Sequence, residues 1–570
     1  MKIAEFMGRE IAPFRLTKKA ADCEQLNCLL SKGKCLIISA HNLCQICDSK
    51  ERGLVELPGL IRSLAGSVFV YGFEPTKDHS LLLQAISSGK ILGIEPLPSG
   101  DTQFRVDPHS RSICRQFAGL SFGSAVHDRD LGFVEGDEQN STCSLIRIGQ
   151  RPFLVRCNDR GCEWILSACL QIADLDVIVD RNTSILRFFS SLVPFMMFVA
   201  SNSPCEVWHN NAPQACFIVD DPLLTNRYGF LDYRKLLEVM EDGRSCTSMA
   251  FIPWNFRRSD RKVTELFSAH TRRFSLCVHG CDHTRGEFGS ADYKLLFEKS
   301  QLAINRMTQH QRLSGLDFDR VMVFPQGIFS TFAPKALKAC GYLAAVNSTL
   351  YPVDMPDGLR LRDLLEVAVT RFSDFPIFTR RRPDALAELA FDLFLGKPAL
   401  LVEHHGYFKD GYRLLAEAVE KVNCLDERLE WNNLATICSR ASLERAAGNG
   451  DVHVKFFTDY FLFKNETQQA RKYSLFRSAS REQSPTMTLN RQPADSWQEQ
   501  DCLKTELFLN PLQTAEVRIA HQPTGSVAVP GREQFSYRAK VFIRRSLSEF
   551  RDNYVDKSQF LSKSDRKSVV

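Results

Sequence analysis

Between residues 214 and 405 this chain repeats one pattern: a short apolar run stops abruptly, and the residues at its end are those that carry chemistry. Cys216–Val219 is followed by Asp220 and Asp221, and Leu276–Val278 by His279, with His283 four residues on. Val321–Val323 runs into Phe324, Pro325 and Gly327, and Ala399–Val402 into Glu403, His404 and His405. Uncharged apolar runs of this length read as strands buried on both faces. Alternated with amphipathic segments, they call for a parallel sheet covered by helices. If that sheet closes into an α/β barrel, the C-terminal strand ends meet on one face, where active sites are built.

At 570 residues the chain is too long for a single core. Residues 1–200 hold strand-like CLIISA (35–40), SVFVYGF (67–73) and RPFLVRC (151–157), and helix-like LLLQAISSG (81–89) and EWILSACLQIADLD (163–176). We read this region as an α/β layer domain of unassigned role, since no glycine-rich phosphate loop or G-x-S-x-G elbow follows its strands. The apolar stretch Ile185–Ala200 is 16 residues long and contains Arg187 and Pro194. A spanning helix needs about 20 residues, so this one is expected to be a buried helix and no transmembrane segment. Residues 205–447 are expected to form the barrel. Residues 448–545 hold short strand-like runs, HVKFFTDYFLF (453–463), RKYSLFR (471–477), AEVRIA (515–520) and SVAV (526–529), and are expected to form a small β-sandwich. The Ser/Gln-rich insert 478–500 is expected to be a loop, and 546–570 a basic amphipathic tail.

Formal charge is only +5. Residues 538–570 contain nine Lys/Arg and four Asp/Glu, which is the whole excess, so the body of the chain is neutral. A nucleic-acid partner is not expected, because phosphate neutralisation needs a basic face. The 19 cysteines are odd in number and scattered through apolar segments, as small buried hydrophobes in a reducing compartment would be. His41, Cys44 and Cys47 lack the second C-x-x-C that a structural zinc site needs. With no signal-peptide pattern in the first residues, the expected location is the cytoplasm.

Asp221 with His279 and His283 would be a two-His, one-carboxylate set for a catalytic divalent metal, leaving coordination open for water and substrate. H-x-x-x-H lets two imidazoles reach one ion. Asp220, beside the ligand Asp, could take a proton from the attacking water, and His404 or His405 could protonate the leaving group.

These motifs, in this order, resemble the polysaccharide deacetylases (NodB-like, carbohydrate esterase family 4 superfamily) over about 240 residues. The resemblance implies a distorted (β/α) barrel and removal of N- or O-acetyl groups with zinc or a similar metal. It carries the base onto Asp220, metal ligands onto Asp221, His279 and His283, and the acid onto His404 or His405. Phe324, Pro325 and Gly327 match its third motif and would bind substrate; Trp254, after the next predicted strand, would line the cleft. Pro222 stands where the family has Gly after the Asp pair, and Val323 where it has Arg. No Asp–Trp pair matches the fourth motif, though Asp363, Arg371 and Asp374 lie in its interval.

The expected function is therefore a metal-dependent hydrolase acting on an acetylated saccharide, with a cytoplasmic glycan precursor or small acetylated sugar as substrate. The competing reading is a non-catalytic carbohydrate-binding or scaffold protein on a degenerate barrel.

Overall fold

The computed structural model describes residues 2–13, 35–47, 66–97, 103–123, 131–136, 143–159, 161–355, 357–448, 450–479, 485–499, 501–521 and 535–555. The chain divides into two compact units, Met1–Val177 with Asn182–His209, and Ile178–Arg181 with Asn210–Val570.

The first unit is built on a seven-stranded mixed sheet. Cys35–Ser39, Ser67–Tyr71 and Cys162–Ser167 run parallel, and Arg151–Asp159 pairs antiparallel to the last of them. The expected helix over 163–176 is thus a strand at its start. Trp164, Ile165 and Leu166 are all buried, and a run apolar at successive positions suits a two-sided buried strand as well as a helix. Ile185–Phe188 forms a 3₁₀ turn leading into the helix Phe189–Asn202. This 18-residue segment is long and apolar enough to cross a membrane, but 72% of it is buried inside the protein. Its Phe195 and Phe198 rings pack against Phe69, at 5.6 and 5.3 Å.

The second unit contains the barrel. Its strands are β1 (Gln214–Asp220), β2 (Thr247–Phe251), β3 (Phe274–His279), β4 (Asp319–Val323), β5 (Ala344–Asn347), β6 (Ile377–Thr379) and β7 (Ala399–His404). They are parallel, in the order β6-β5-β4-β3-β2-β1-β7. A single bridge closes the ring: just beyond β6, Arg381 N donates to Leu400 O (2.7 Å), and Val402 N donates to Arg381 O (2.9 Å). The seven-stranded barrel is distorted at this narrow seam. β1 and β2 are buried along their whole length, which is why they read as unbroken apolar runs.

Helices cover the outside, among them α1 (Tyr233–Asp242), α2 (Arg261–Ala269) and α3 (Tyr293–Ser314). Asp232 and Asp292 accept hydrogen bonds from the first-turn amides of α1 and α3, fixing where each helix starts.

The β-rich region is two stacked sheets of five and four strands sharing one core, with Val454, Phe456, Phe461, Phe463, Leu475 and Val517 inside. The run 453–463 splits into Val452–Phe456 in one sheet and Tyr460–Lys464 in the other. The insert expected to be a loop supplies Thr486–Leu489, Gln492–Pro493 and Ser496–Glu499, paired strands that extend both sheets. SVAV (526–529) lies outside the described residues. The tail helix α4 begins earlier than expected, at Phe535, and runs to Phe550, with a π turn over Arg551–Val555.

Candidate active site

The four strand ends do converge. Asp220 is the last residue of β1 and is buried. Asp221 follows with φ +59°, a left-handed conformation that Asp tolerates better than most residues. That reversal separates the two carboxylates. Asp221 Oδ1 lies 3.3 Å from His279 Nε2 and 3.1 Å from His283 Nε2. It is buried and has no hydrogen-bond partner, so two imidazole nitrogens converge on an unsatisfied carboxylate oxygen. The ligand atoms of the three residues all lie within 4.8 Å of one another.

His279, at the end of β3, places Nδ1 2.9 Å from Val323 O of β4. Donating from Nδ1 to that carbonyl would leave Nε2 free to give its lone pair to a metal. The donor set fits a divalent cation: one carboxylate, two imidazoles, an orphaned buried oxygen at their meeting point, and a second partner fixing His279. Burial would raise Asp221, but the two histidines hold it far below the usual carboxylate range. Burial drives His283 down to about 4, while Asp220 and Asp221 outweigh burial at His279 and raise it.

His283 is held by a loop the sequence did not flag. The amides of Cys281, Asp282 and His283 all donate to the buried Glu287 carboxylate, at 3.0, 2.9 and 3.1 Å. Lys299 of α3 lies 3.3 Å from both Glu287 and Asp282, and Arg306 lies 2.5 Å from Asp282. Cys281, Asp282 and Glu287 also cluster closely enough to suggest a metal site, but their carboxylates are already occupied by these amides and cations. Gly280 (φ +65°) is required here, since a Cβ would come within 2.4 Å of Pro325 and 2.6 Å of Glu287.

The same packing involves the third motif. Phe324 and Pro325 are buried, Phe324 stacking on Phe329 at 4.9 Å and Pro325 seated against Gly280. Gly327 turns the chain with φ +68°. Phe324 and Pro325 therefore brace the His-x-x-x-His loop. Trp254 does follow β2, but the Arg306 guanidinium already stacks over its ring at 5.1 Å. One face is therefore closed to a sugar.

Asp220 has a partner that the sequence reading missed. Arg380, directly after β6, forms a bidentate ion pair with it, Nη1–Oδ1 2.7 Å and Nη2–Oδ2 2.8 Å, with both side chains about 5% exposed or less. Burial alone would raise Asp220; Arg380 and then His279 outweigh it and hold the carboxyl below its ordinary value. The signal was present: Arg380 is a strand-end residue like the others, in the run Thr379-Arg380-Arg381-Arg382. Asp363 and Arg371 pair with each other instead (2.9 Å).

The late histidines separate. His404 pairs in register with Asp220 across β7 and β1, and its Nε2 stands 4.0 Å from Asp220 Oδ2 with its side chain 59% exposed. His405 is buried between Tyr228 and Phe230, whose rings lie 5.5 and 6.1 Å away. Its Nε2 faces Asp552 of the C-terminal turn at 3.6 Å. Asp552 also accepts from Tyr228 Oη (2.5 Å), and Asn553 Oδ1 accepts from Gly229 N (2.9 Å). Earlier on α4, Tyr537 donates to Asp282 (2.8 Å) and Glu549 pairs with Arg258. Arg545 is buried close enough to Asp221 and His283 for its charge to act on both.

No family model matches the chain, and no curated protein matches it in sequence. Among solved structures, Agd3, described as a novel carbohydrate deacetylase, aligns with 86% of this chain and 99% of its own, at 10% identity and a TM-score of 0.38. A putative polysaccharide deacetylase from Mycobacterium smegmatis aligns with 40% of this chain and 90% of its own, at 16% identity and a TM-score of 0.28. A CE4 family pseudoenzyme from Bacillus anthracis aligns with 41% and 75%, at 10% identity and a TM-score of 0.24. In the order of its strand-end motifs and in its parallel seven-stranded barrel, the chain resembles a divergent NodB-like polysaccharide deacetylase.

Proposed function

We propose that the barrel is a metal-dependent hydrolase that removes an acetyl group, as amide or ester, from a saccharide or glycan precursor. The observation that carries this reading is the convergence of His279 Nε2 and His283 Nε2 on the orphaned Asp221 oxygen, next to a second carboxylate locked by Arg380. A divalent cation such as zinc, held by Asp221, His279 and His283, would supply Lewis acidity to the acetyl carbonyl and acidify water. Asp220, kept ionised and oriented by Arg380, accepts the proton of the attacking water. His404, open to solvent beside Asp220, delivers a proton to the departing amine or alcohol. His405, enclosed by aromatic rings and facing Asp552, has a positioning role. The buried thiols Cys216, Cys277 and Cys281 support a reducing compartment such as the cytoplasm, and a substrate found there.

The alternative, a carbohydrate-binding barrel without turnover, is favoured by one observation: Arg545 brings a buried positive charge beside Asp221 and His283, where a metal would bring its own. Asp220→Asn separates the readings. It should retain about one divalent ion per chain while abolishing acetate release from 4-nitrophenyl acetate and acetylated amino-sugar oligomers. Turnover that survives in the variant excludes Asp220 as base. A wild-type protein that takes up no metal and releases no acetate leaves the binding reading in front.

A further inference from the structure

Helix α4 has two faces of opposite character. Val541 and Arg545 are buried against the barrel, and Asp552 is buried in the turn that follows. Across the helix Ile543, Leu547 and Phe550 are 57%, 65% and 58% exposed, with Phe542 (63%) and Phe535 at the edge of the same stripe and Tyr554 in the turn that follows. At 100° per residue the five on the helix itself fall within an arc of about 140°. Single exposed hydrophobics are ordinary, but five large ones along one side of a helix, with Tyr554 beyond its end, mark a surface that something covers.

The charges are sorted in the same way. Both acids of the segment face inward: Glu549 pairs with Arg258, and Asp552 is held by Tyr228, His405 and Arg551. Lys540 and Arg544 border the apolar stripe, where they line an outward-facing recess of about 500 Å³ with Ile543 and Leu547. In sequence, residues 556–570 continue with four Lys/Arg against two Asp. An apolar stripe edged by cations, with the acids turned away, is complementary to a bilayer bearing anionic headgroups. A second protein copy would need an acidic patch to meet Lys540 and Arg544, and this face has none of its own to offer in a symmetric pairing.

We propose that the outer face of α4 docks the protein on an anionic membrane surface, the apolar stripe entering the interface and Lys540 and Arg544 meeting headgroups. The assignment does not depend on the barrel being catalytic.

The test is co-sedimentation of the full chain with phosphatidylserine–phosphatidylcholine vesicles and with phosphatidylcholine alone. Binding is expected to the anionic vesicles, weakening as salt rises. It should fall at least tenfold in Leu547→Asp/Phe550→Asp, and by a similar factor in Lys540→Glu/Arg544→Glu, since each cation near such a surface is worth about fivefold. These side chains are largely outside the core, so both variants should melt with the wild type. As a measurement on the wild type alone, backbone hydrogen exchange over 535–550 should slow when anionic vesicles are added. No sedimentation of the wild type, or sedimentation unchanged in both variants, overturns the proposal. So does a dimer by light scattering that the Leu547→Asp/Phe550→Asp variant dissociates while neither protein binds vesicles, because the occupant would then be a second copy.

Discussion

Replacing Arg380 with Met tests the ion pair on which the base assignment depends. Asp220 and Arg380 are both buried, and the guanidinium meets both carboxylate oxygens at 2.7 and 2.8 Å. Met fills much of the same volume, so the principal loss is the counter-charge. Removing one partner of a buried pair leaves an uncompensated charge and costs about 3–5 kcal/mol. For a unit of barrel size that is a fall of about 6–20 °C in Tm. The sign with pH follows from Asp220's native pKa, which lies below its unfolded value. The pair's stabilisation is complete above about pH 4 and is lost as pH falls through the native value. In Arg380→Met the depression is removed and burial raises the carboxyl, so the acid limb of any rate profile should move upward. Thermal unfolding of four proteins decides it: wild type, Arg380→Met, Asp220→Asn, and the double variant. The double variant should be more stable than Arg380→Met alone, because the buried charge is gone with its partner. A single variant melting within about 2 °C of wild type, or a double variant no better than the single, would refute the reasoning.

Three further outcomes are expected. Elemental mass spectrometry should find about one divalent ion per chain in the wild type and none in His279→Ala/His283→Ala, and an ion retained in the variant would place the metal elsewhere. Metal retention should fall on acidification, because protonated imidazoles cannot ligate; equal metal content after dialysis at pH 5 and pH 8 would contradict this. Gly229→Ala should destabilise the second unit by about 1–3 kcal/mol or displace His405. Its backbone has φ +55° and a Cβ there would lie 2.3 Å from the His405 Nδ1. An unchanged Tm and an unshifted His405 resonance by NMR would show that the contact does not constrain the ring.

The sequence by itself determined the local pieces. Uncharged apolar runs at Cys216–Val219, Leu276–Val278 and Ala399–Val402 can only be buried on both faces, which makes a covered parallel sheet the economical arrangement. Because the runs are followed by Asp220-Asp221, by His279 and by Glu403-His404, the candidate site was legible at the strand ends, and the structure does bring Asp221, His279 and His283 together. Residues that act across the barrel were not legible. Arg380 reaches Asp220 from 160 positions away, through a closure made by one bridge at Arg381, and linear spacing carries no trace of that distance. Glu287 looks like any loop carboxylate until three amides are seen to wind around it. The roles of Phe324 and Pro325 also depended on tertiary structure, since a turn motif reads the same whether it faces a cleft or buttresses a neighbouring loop. His404 and His405 are adjacent in sequence, yet strand β7 ends between them, so one faces Asp220 and the other faces the C-terminal turn. Local pattern follows from which atoms avoid water. Which distant charge neutralises which buried one is decided only when the sheet closes and brings them within hydrogen-bonding distance.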